Sequence, residues 1–255
     1  MSARNVMILG ATSAIAEAFA RRLAAAGDNL LLVARDEERT ARIAADLDLL
    51  GTGTVGYATR DLAMVPAGAE DEVAPAFDAF CEALPGPIDV VAVFYGVLGD
   101  QSTEEATIGR ARDSIRVNFT SVAEWALAAA NRLEAQDRGV LLVVSSVAGD
   151  RGRQSNYVYG SAKAGLSALV QGIAHRLARG GARAVVAKLG FVDTPMTAHI
   201  DKGGPLWATP DQVAGKLEAA VDRPGAPVIY VPGFWRLIML VIRNVPAFVF
   251  HKTQL

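Results

Sequence analysis

Short, continuously apolar runs alternate along this chain with long stretches of helical periodicity, and that alternation restricts the fold more than any other feature. Residues 6–9, 30–34, 55–59, 88–94, 140–144, 184–189 and 228–231 read as seven strands. Residues 15–26, 36–50, 73–84, 108–135, 157–178 and 211–221 read as the helices between them. Strands apolar at successive positions are buried on both faces. Strands alternating with helices at this spacing give parallel βαβ units with right-handed crossovers. The expected fold is α/β: one doubly wound (Rossmann) seven-stranded parallel sheet with helices on both faces, a single domain over residues 1–255. Ligands of such sheets sit at the carboxyl ends of the strands, so functional residues are expected just after strand ends.

Composition narrows the partners. Lys+Arg 25 against Asp+Glu 27 gives a net charge of -2, so no basic surplus faces the phosphates of a nucleic acid. Cys81 is the only cysteine, which excludes an internal disulfide and fits a reducing compartment. His175, His199 and His251 lie far apart, and no metal site is expected. Arg4, the apolar run 6–9 and Ala24-Ala25-Ala26-Gly27 superficially resemble a secretion signal, but Glu17, Arg21 and Arg22 interrupt the apolar stretch, so strand and helix are expected there. No run reaches the roughly 18 uninterrupted apolar residues of a spanning helix. These features together suggest a cytoplasmic protein.

The turn after the first strand reads Gly10-Ala11-Thr12-Ser13-Ala14-Ile15-Ala16 and opens a helix. A dinucleotide site needs small residues here so that backbone can approach a pyrophosphate, with free N–H groups and positive potential at the helix N-terminus. Gly10, Thr12, Ser13, Ala14 and Ile15 are the candidate cradle, against an ordinary strand-to-helix turn. The second strand ends Ala34-Arg35-Asp36. An acidic residue there holds a free ribose, an arginine a 2′-phosphate. Arg35 is taken as the reader, with NADP(H) preferred over NAD(H); the alternative is a solvated Arg35–Asp36 pair capping the next helix. Asp61, beside Leu62 after the third strand, either accepts from an adenine amino group or caps a helix.

The fifth strand ends in Ser145-Ser146; Tyr159 and Lys163 follow at a spacing that puts both on one helix face. A free phenol, with a pKa of about 10, is a reluctant acid at neutral pH. A neighbouring cation favours its phenolate, and a serine hydroxyl beside it can hold a carbonyl in place. Tyr159 and Lys163 alone could be an accident of spacing on a surface helix; with Ser146 at the strand end they form a proton-transfer site.

Ser146-Val147-Ala148-Gly149 and Tyr159-Gly160-Ser161-Ala162-Lys163 resemble the short-chain dehydrogenase/reductase superfamily over essentially the whole chain. The resemblance implies hydride transfer from a nicotinamide, with Tyr159 as proton donor and Ser146 orienting the carbonyl. Lys163 is implied to lower the Tyr159 pKa and hold the nicotinamide ribose. Asn118, in Val117-Asn118-Phe119, matches a fourth member expected to hold a water in a proton relay to Lys163. Thr194, in Val192-Asp193-Thr194, matches the residue that contacts the nicotinamide end. Tyr157 has the wrong spacing to Lys163. Three cofactor turns depart from the pattern: the glycine signature carries Ala14 and Ala16, the Asn-Asn-Ala-Gly turn is Val93-Phe94-Tyr95-Gly96, and the Pro-Gly turn is Leu189-Gly190. The superfamily is usually oligomeric, so a homo-oligomer is expected.

Residues 233–255 are apolar and basic, with Arg236 and Arg243 seven apart and no acidic residue. Such a helix suits a membrane interface; a subunit contact or a lid on the substrate pocket is the alternative. A single core helix is not expected, because a helix apolar nearly all round must be covered. With this tail, Tyr95-Gly96-Val97-Leu98-Gly99-Asp100, the stretch 159–166 and Met196-Thr197-Ala198-His199 resemble decaprenylphospho-erythro-pentofuranosid-2-ulose 2-reductases. That implies a lipid-linked 2-keto pentose, a flavin oxidase partner that forms the ketone, and work at the inner face of the cytoplasmic membrane. Arg151 and Arg153 are either contacts to a substrate phosphate or, the favoured reading, plain surface charge. Two other readings stand beside this one: a general carbonyl reductase of soluble or lipid ketones, and a catalytically silent dinucleotide-binding sensor or scaffold.

Overall fold

Each central strand divides its side chains between two cores. On the first strand Val6 and Ile8 point to one face, Met7 and Leu9 to the other, and all four are fully buried, as the two-residue period of a strand dictates. The computed structural model describes residues 3–64, 72–202 and 204–253, so the last two residues of the apolar-basic tail lie outside the described residues. The strands are β1 (Asn5–Leu9), β2 (Asn29–Ala34), β3 (Val55–Thr59), β4 (Val90–Val93), β5 (Gly139–Ser146), β6 (Ala182–Leu189), β7 (Phe191–Val192), β8 (Trp207–Ala208) and β9 (Val228–Val231). The helices are α1 (Ala14–Ala25), α2 (Glu37–Asp48), α3 (Val73–Glu82), α4 (Gln101–Ala106), α5 (Ile108–Ile115), α6 (Ser121–Ala135), α7 (Tyr157–Leu177), α8 (Pro210–Asp222), α9 (Trp235–Asn244) and α10 (Ala247–Phe250).

Seven strands form one parallel sheet in the order β3-β2-β1-β4-β5-β6-β9. Helices α1, α2 and α8 cover one face and α3, α6 and α7 the other, giving the expected doubly wound α/β fold. The direction of winding reverses between β1 and β4, which are neighbours in the sheet, and the crevice of such a fold opens at that reversal. The short pair β7–β8 was not foreseen; Phe191 and Trp207 stack across it at 5.1 Å.

The helix expected over residues 108–135 is not continuous. It is divided into α5 and α6 by a π turn, Arg116–Thr120, with the separate short helix α4 before it. A π turn inserts only one residue, so the apolar pattern slips by a single position without any break in helical character, and the sequence reads as one helix.

The tail is docked along one face only. Helix α9 is not enclosed all round. Its inner stripe of Trp235, Ile238, Met239 and Ile242 packs with Val147, Phe191 and Tyr230, while Leu237, Leu240 and Val241 on the outside remain exposed. No helix among the described residues is long and apolar enough to cross a membrane.

Candidate active site

The chain leaves β1 through Gly10, whose φ of +84° belongs to the left-handed region. A Cβ at this position would lie 2.7 Å from the backbone nitrogen of Tyr95, just after β4. Only glycine lets the two strand ends close on each other. Beside this point opens a cleft of about 710 Å³. Gly10, Thr12, Ser13, Ala14, Ile15, Arg35, Asp61, Leu62 and Gly96 line it, as do Asn118, Ser146, Tyr159, Lys163, Val192 and Thr194. All fifteen residues taken from the sequence as catalytic or cofactor-binding candidates thus meet in one place.

The turn after β1 fits a dinucleotide. Ser13, at the N-cap of α1, makes no side-chain cap, so the first-turn amides of that helix remain available to an anion. At the end of β2, Asp36 is committed elsewhere: its carboxylate accepts from the Arg39 amide at 3.0 Å and caps α2. Arg35 faces the cleft with Arg39 and Arg60. These last two were not found from sequence, because they come from different elements; Arg39 at i+4 from Arg35 was the available clue. Asp61 Oδ1 accepts from the Ala63 amide at 3.0 Å, and the Leu62 carbonyl is fixed by the Trp125 indole at 3.0 Å.

The two serines at the end of β5 part company, as successive strand residues must. Ser145 turns inward, its Oγ 2.8 Å from that of Ser167 and 3.1 Å from the Lys163 carbonyl, tying α7 to the sheet. Ser146 faces the cleft, where its hydroxyl accepts from the Ala148 amide at 3.1 Å and lies beside the Tyr159 hydroxyl. Tyr157 is outside the cleft and donates to Glu105 at 2.8 Å.

The expectation that Lys163 lowers the Tyr159 pKa does not hold for the protein alone. Burial raises the phenol pKa, and the bond to Ser146 offsets that only in part. Lys163 is itself buried, and loss of hydration pushes its pKa down to about 8. Its Nζ lies 5.8 Å from the centre of the Tyr159 ring and donates to the Val144 carbonyl at 3.5 Å. Desolvation is the largest cause for both groups.

Asn118 sits in the π turn and is fully buried. Its Oδ1 accepts from the Val97 amide at 3.0 Å, and its Nδ2 donates to the Val97 and Ser114 carbonyls at 2.8 and 3.0 Å. The Asn118 side chain grips the backbone after β4 from both sides. Gly96 makes this fit possible, since a Cβ there would lie 2.7 Å from Asn118 Oδ1 and 3.3 Å from Lys163 Nζ.

Residues 4–204 match the short chain dehydrogenase family. The chain belongs to that family. It is an NAD(P)-dependent oxidoreductase. An uncharacterized oxidoreductase of Streptomyces coelicolor is 36% identical over 255 residues, spanning 98% of this chain and 95% of the relative. One from Mycobacterium tuberculosis is 34% identical over 250 residues, spanning 98% and 97%. A variant of actinorhodin polyketide ketoreductase, solved with NADPH, is similar in fold with a TM-score of 0.77 at 22% identity, over 91% of this chain and 97% of that one.

The departures of this short chain dehydrogenase from the family pattern have physical counterparts. Tyr95 turns its hydroxyl to Ser121 Oγ at 3.2 Å, leaving the strand end to Gly96 and the Asn118 clamp. At Leu189-Gly190 the glycine admits Trp235 from α9, since a Cβ at 190 would stand 1.8 Å from the indole Nε1. Trp235 therefore lines the cleft, a contribution the sequence did not reveal across 44 intervening positions. Arg151 is not a substrate contact. Its guanidinium donates to the carbonyls of Ile242 and Val245 and lies 3.7 Å over the Phe250 ring, closing the end of α9. Arg153 is not plain surface charge either, for it lines the cleft with its Nε buried.

Proposed function

We propose that this short chain dehydrogenase is an NADP(H)-dependent reductase that converts a ketone to a secondary alcohol, its substrate a keto-sugar carried on a polyprenyl phosphate. The carrying observation is the meeting of Ser146, Tyr159 and Lys163 with the Gly10 turn in one cleft. When bound, the nicotinamide supplies the hydride. Tyr159 gives its proton to the carbonyl oxygen as charge develops there, and Ser146 donates a hydrogen bond to the same oxygen. Lys163 stabilises the phenolate left behind. Asn118 acts as a positioning residue by fixing Val97. Arg35, Arg39 and Arg60 supply positive charge where a 2′-phosphate belongs, and Asp36, spent on its cap, does not oppose it. Similarity to a polyketide ketoreductase solved with NADPH supports both ketone and cofactor.

The lipid part of the reading rests on α9. Its exposed Leu237, Leu240 and Val241 lie opposite the docked stripe, and at 100° per residue Arg236 and Arg243 fall on the flank between the two. That arrangement suits a helix lying in an anionic interface with its arginines at headgroup level; on this reading the cleft would meet a membrane-borne ketone formed by a flavin oxidase. The test is NADPH oxidation, followed optically, with neutral ketones, soluble keto-sugars and polyprenyl-phosphate keto-sugar in anionic vesicles. Preference for the vesicle substrate that is lost in Arg236→Glu/Arg243→Glu supports the full reading. Equal turnover of soluble ketones points to a general carbonyl reductase, and no oxidation with any ketone removes the reductase reading.

A further inference from the structure

Among the described residues five buried side-chain atoms lack a hydrogen-bond partner, and Arg153 Nε, Gln101 Nε2 and Trp235 Nε1 are three of them. All three residues line the cleft. Buried polar atoms are nearly always paired in folded proteins, so this cluster, which also holds the acceptor Asn156 Oδ1 on the same cleft, calls for a ligand that supplies acceptors to the donors and a hydroxyl to Asn156. The three are drawn from separate elements. Gln101 begins α4, and its Oε1 holds the Val158 amide at 3.0 Å, at the start of α7. Trp235 reaches in over Gly190. Arg153 stands in the loop between Ser146 and Tyr159, its guanidinium partly desolvated with no acid to offset the cost.

Arg153 and the cations after β2 and β3 follow different strands. In the sheet, β5 is three strands from β2, which ends at Arg35, or about 14 Å at ordinary strand spacing. Arg153 thus follows the strand that carries Ser146, in the segment that leads into the helix of Tyr159.

We infer that Arg153 receives an oxyanion of the substrate, with the Gln101 and Trp235 donors meeting further oxygens, so that the enzyme selects ketones bearing a phosphate at a distance from the carbonyl. The inference rests on the reading of Tyr159 as the acid that marks the reacting carbon. A wholly apolar ketone leaves all three donors dry and unpaired. Arginine fits phosphate through its planar fork, and an ammonium replaces it only in part. The phosphate belongs either to a soluble sugar phosphate or to a lipid carrier.

The experiment is a ratio of specificities with a binding measurement beside it. The kcat/KM for D-ribulose 5-phosphate is divided by that for D-ribulose in wild type, Arg153→Lys and Arg153→Gln. Binding of inorganic phosphate and of decyl phosphate to NADP+-saturated protein is followed by calorimetry. The expected ratio exceeds 1 by about tenfold in wild type, falls by about tenfold in Arg153→Gln, mainly through KM, and is partly restored in Arg153→Lys. Decyl phosphate binding well ahead of inorganic phosphate supports a lipid carrier, and comparable binding of both supports a soluble ester. A wild-type ratio near 1, or one unmoved by Arg153→Gln, overturns the inference. Failure of ketone reduction shows separately as no NADPH oxidation with either ketose. Calorimetry then decides alone, and absence of binding, or binding unmoved in Arg153→Gln, overturns the oxyanion site.

Discussion

Lys163 Nζ stands 5.8 Å from the centre of the Tyr159 ring, held back by the Val144 carbonyl at 3.5 Å. The cation is near enough to favour a phenolate once one forms, yet it does not ionise the phenol beforehand. Proton donation therefore depends on the Tyr159 hydroxyl itself. Tyr159→Phe is expected to cut turnover by about 10²- to 10⁴-fold while NADPH binding, followed by its fluorescence, changes little. A near-normal rate in that variant removes Tyr159 as the acid.

The same burial makes a prediction for stability. Lys163 titrates at about 8 in the folded protein against an ordinary 10.5. Between these values the unfolded chain binds the extra proton, so stability attributable to this site rises with pH across that window and is lowest, and constant, below it. Lys163→Met is expected to raise the melting temperature of the cofactor-free protein at pH 7, by a stabilisation of roughly 3 kcal/mol, and to lose that advantage towards pH 10. Melting curves at both pH values check it; a gain that does not shrink with pH sinks the assignment.

The proposed preference for NADP(H) rests on the arginines after β2 and β3. Arg35→Ala is expected to raise KM for NADPH by roughly tenfold to a hundredfold, and KM for NADH far less. Arg39→Ala has the same sign. Equal losses with both cofactors would falsify the 2′-phosphate role.

Gly190→Ala is expected to displace the Trp235 indole, because the new methyl would stand 1.8 Å from its Nε1. The predicted result is lower kcat/KM together with faster proteolysis within residues 235–250. Gly233→Ala is the control, since nothing lies within 4 Å of a Cβ there. Matching proteolysis rates for the two variants count against docking of α9 through this contact.

Much of the site was legible because it belongs to one strand–helix unit. Ser146, Tyr159 and Lys163 lie close together in sequence, and the 2.0 and 3.6 periods alone direct them to the same place. Arg39, Arg60 and Trp235 were hidden because only the closed sheet brings their elements together. Arg151 was misread for the same reason: its partners, Ile242 and Val245, lie 91 and 94 positions away. The upward shift at Tyr159 was hidden for a different reason, since spacing reports proximity of charge but not the loss of water around it.

The π turn holds a further consequence. An α-helix rotates 100° with each residue, and Arg116–Thr120 contains one residue more than a regular turn needs. Deleting a single codon there would restore an unbroken cylinder from α5 into α6, with its apolar seam still nearly in phase. It would also swing the carboxamide now fastened to Val97 away from the crevice. Three nucleotides are thus enough to unfasten this crevice while leaving a well-folded scaffold to mislead a spectroscopist.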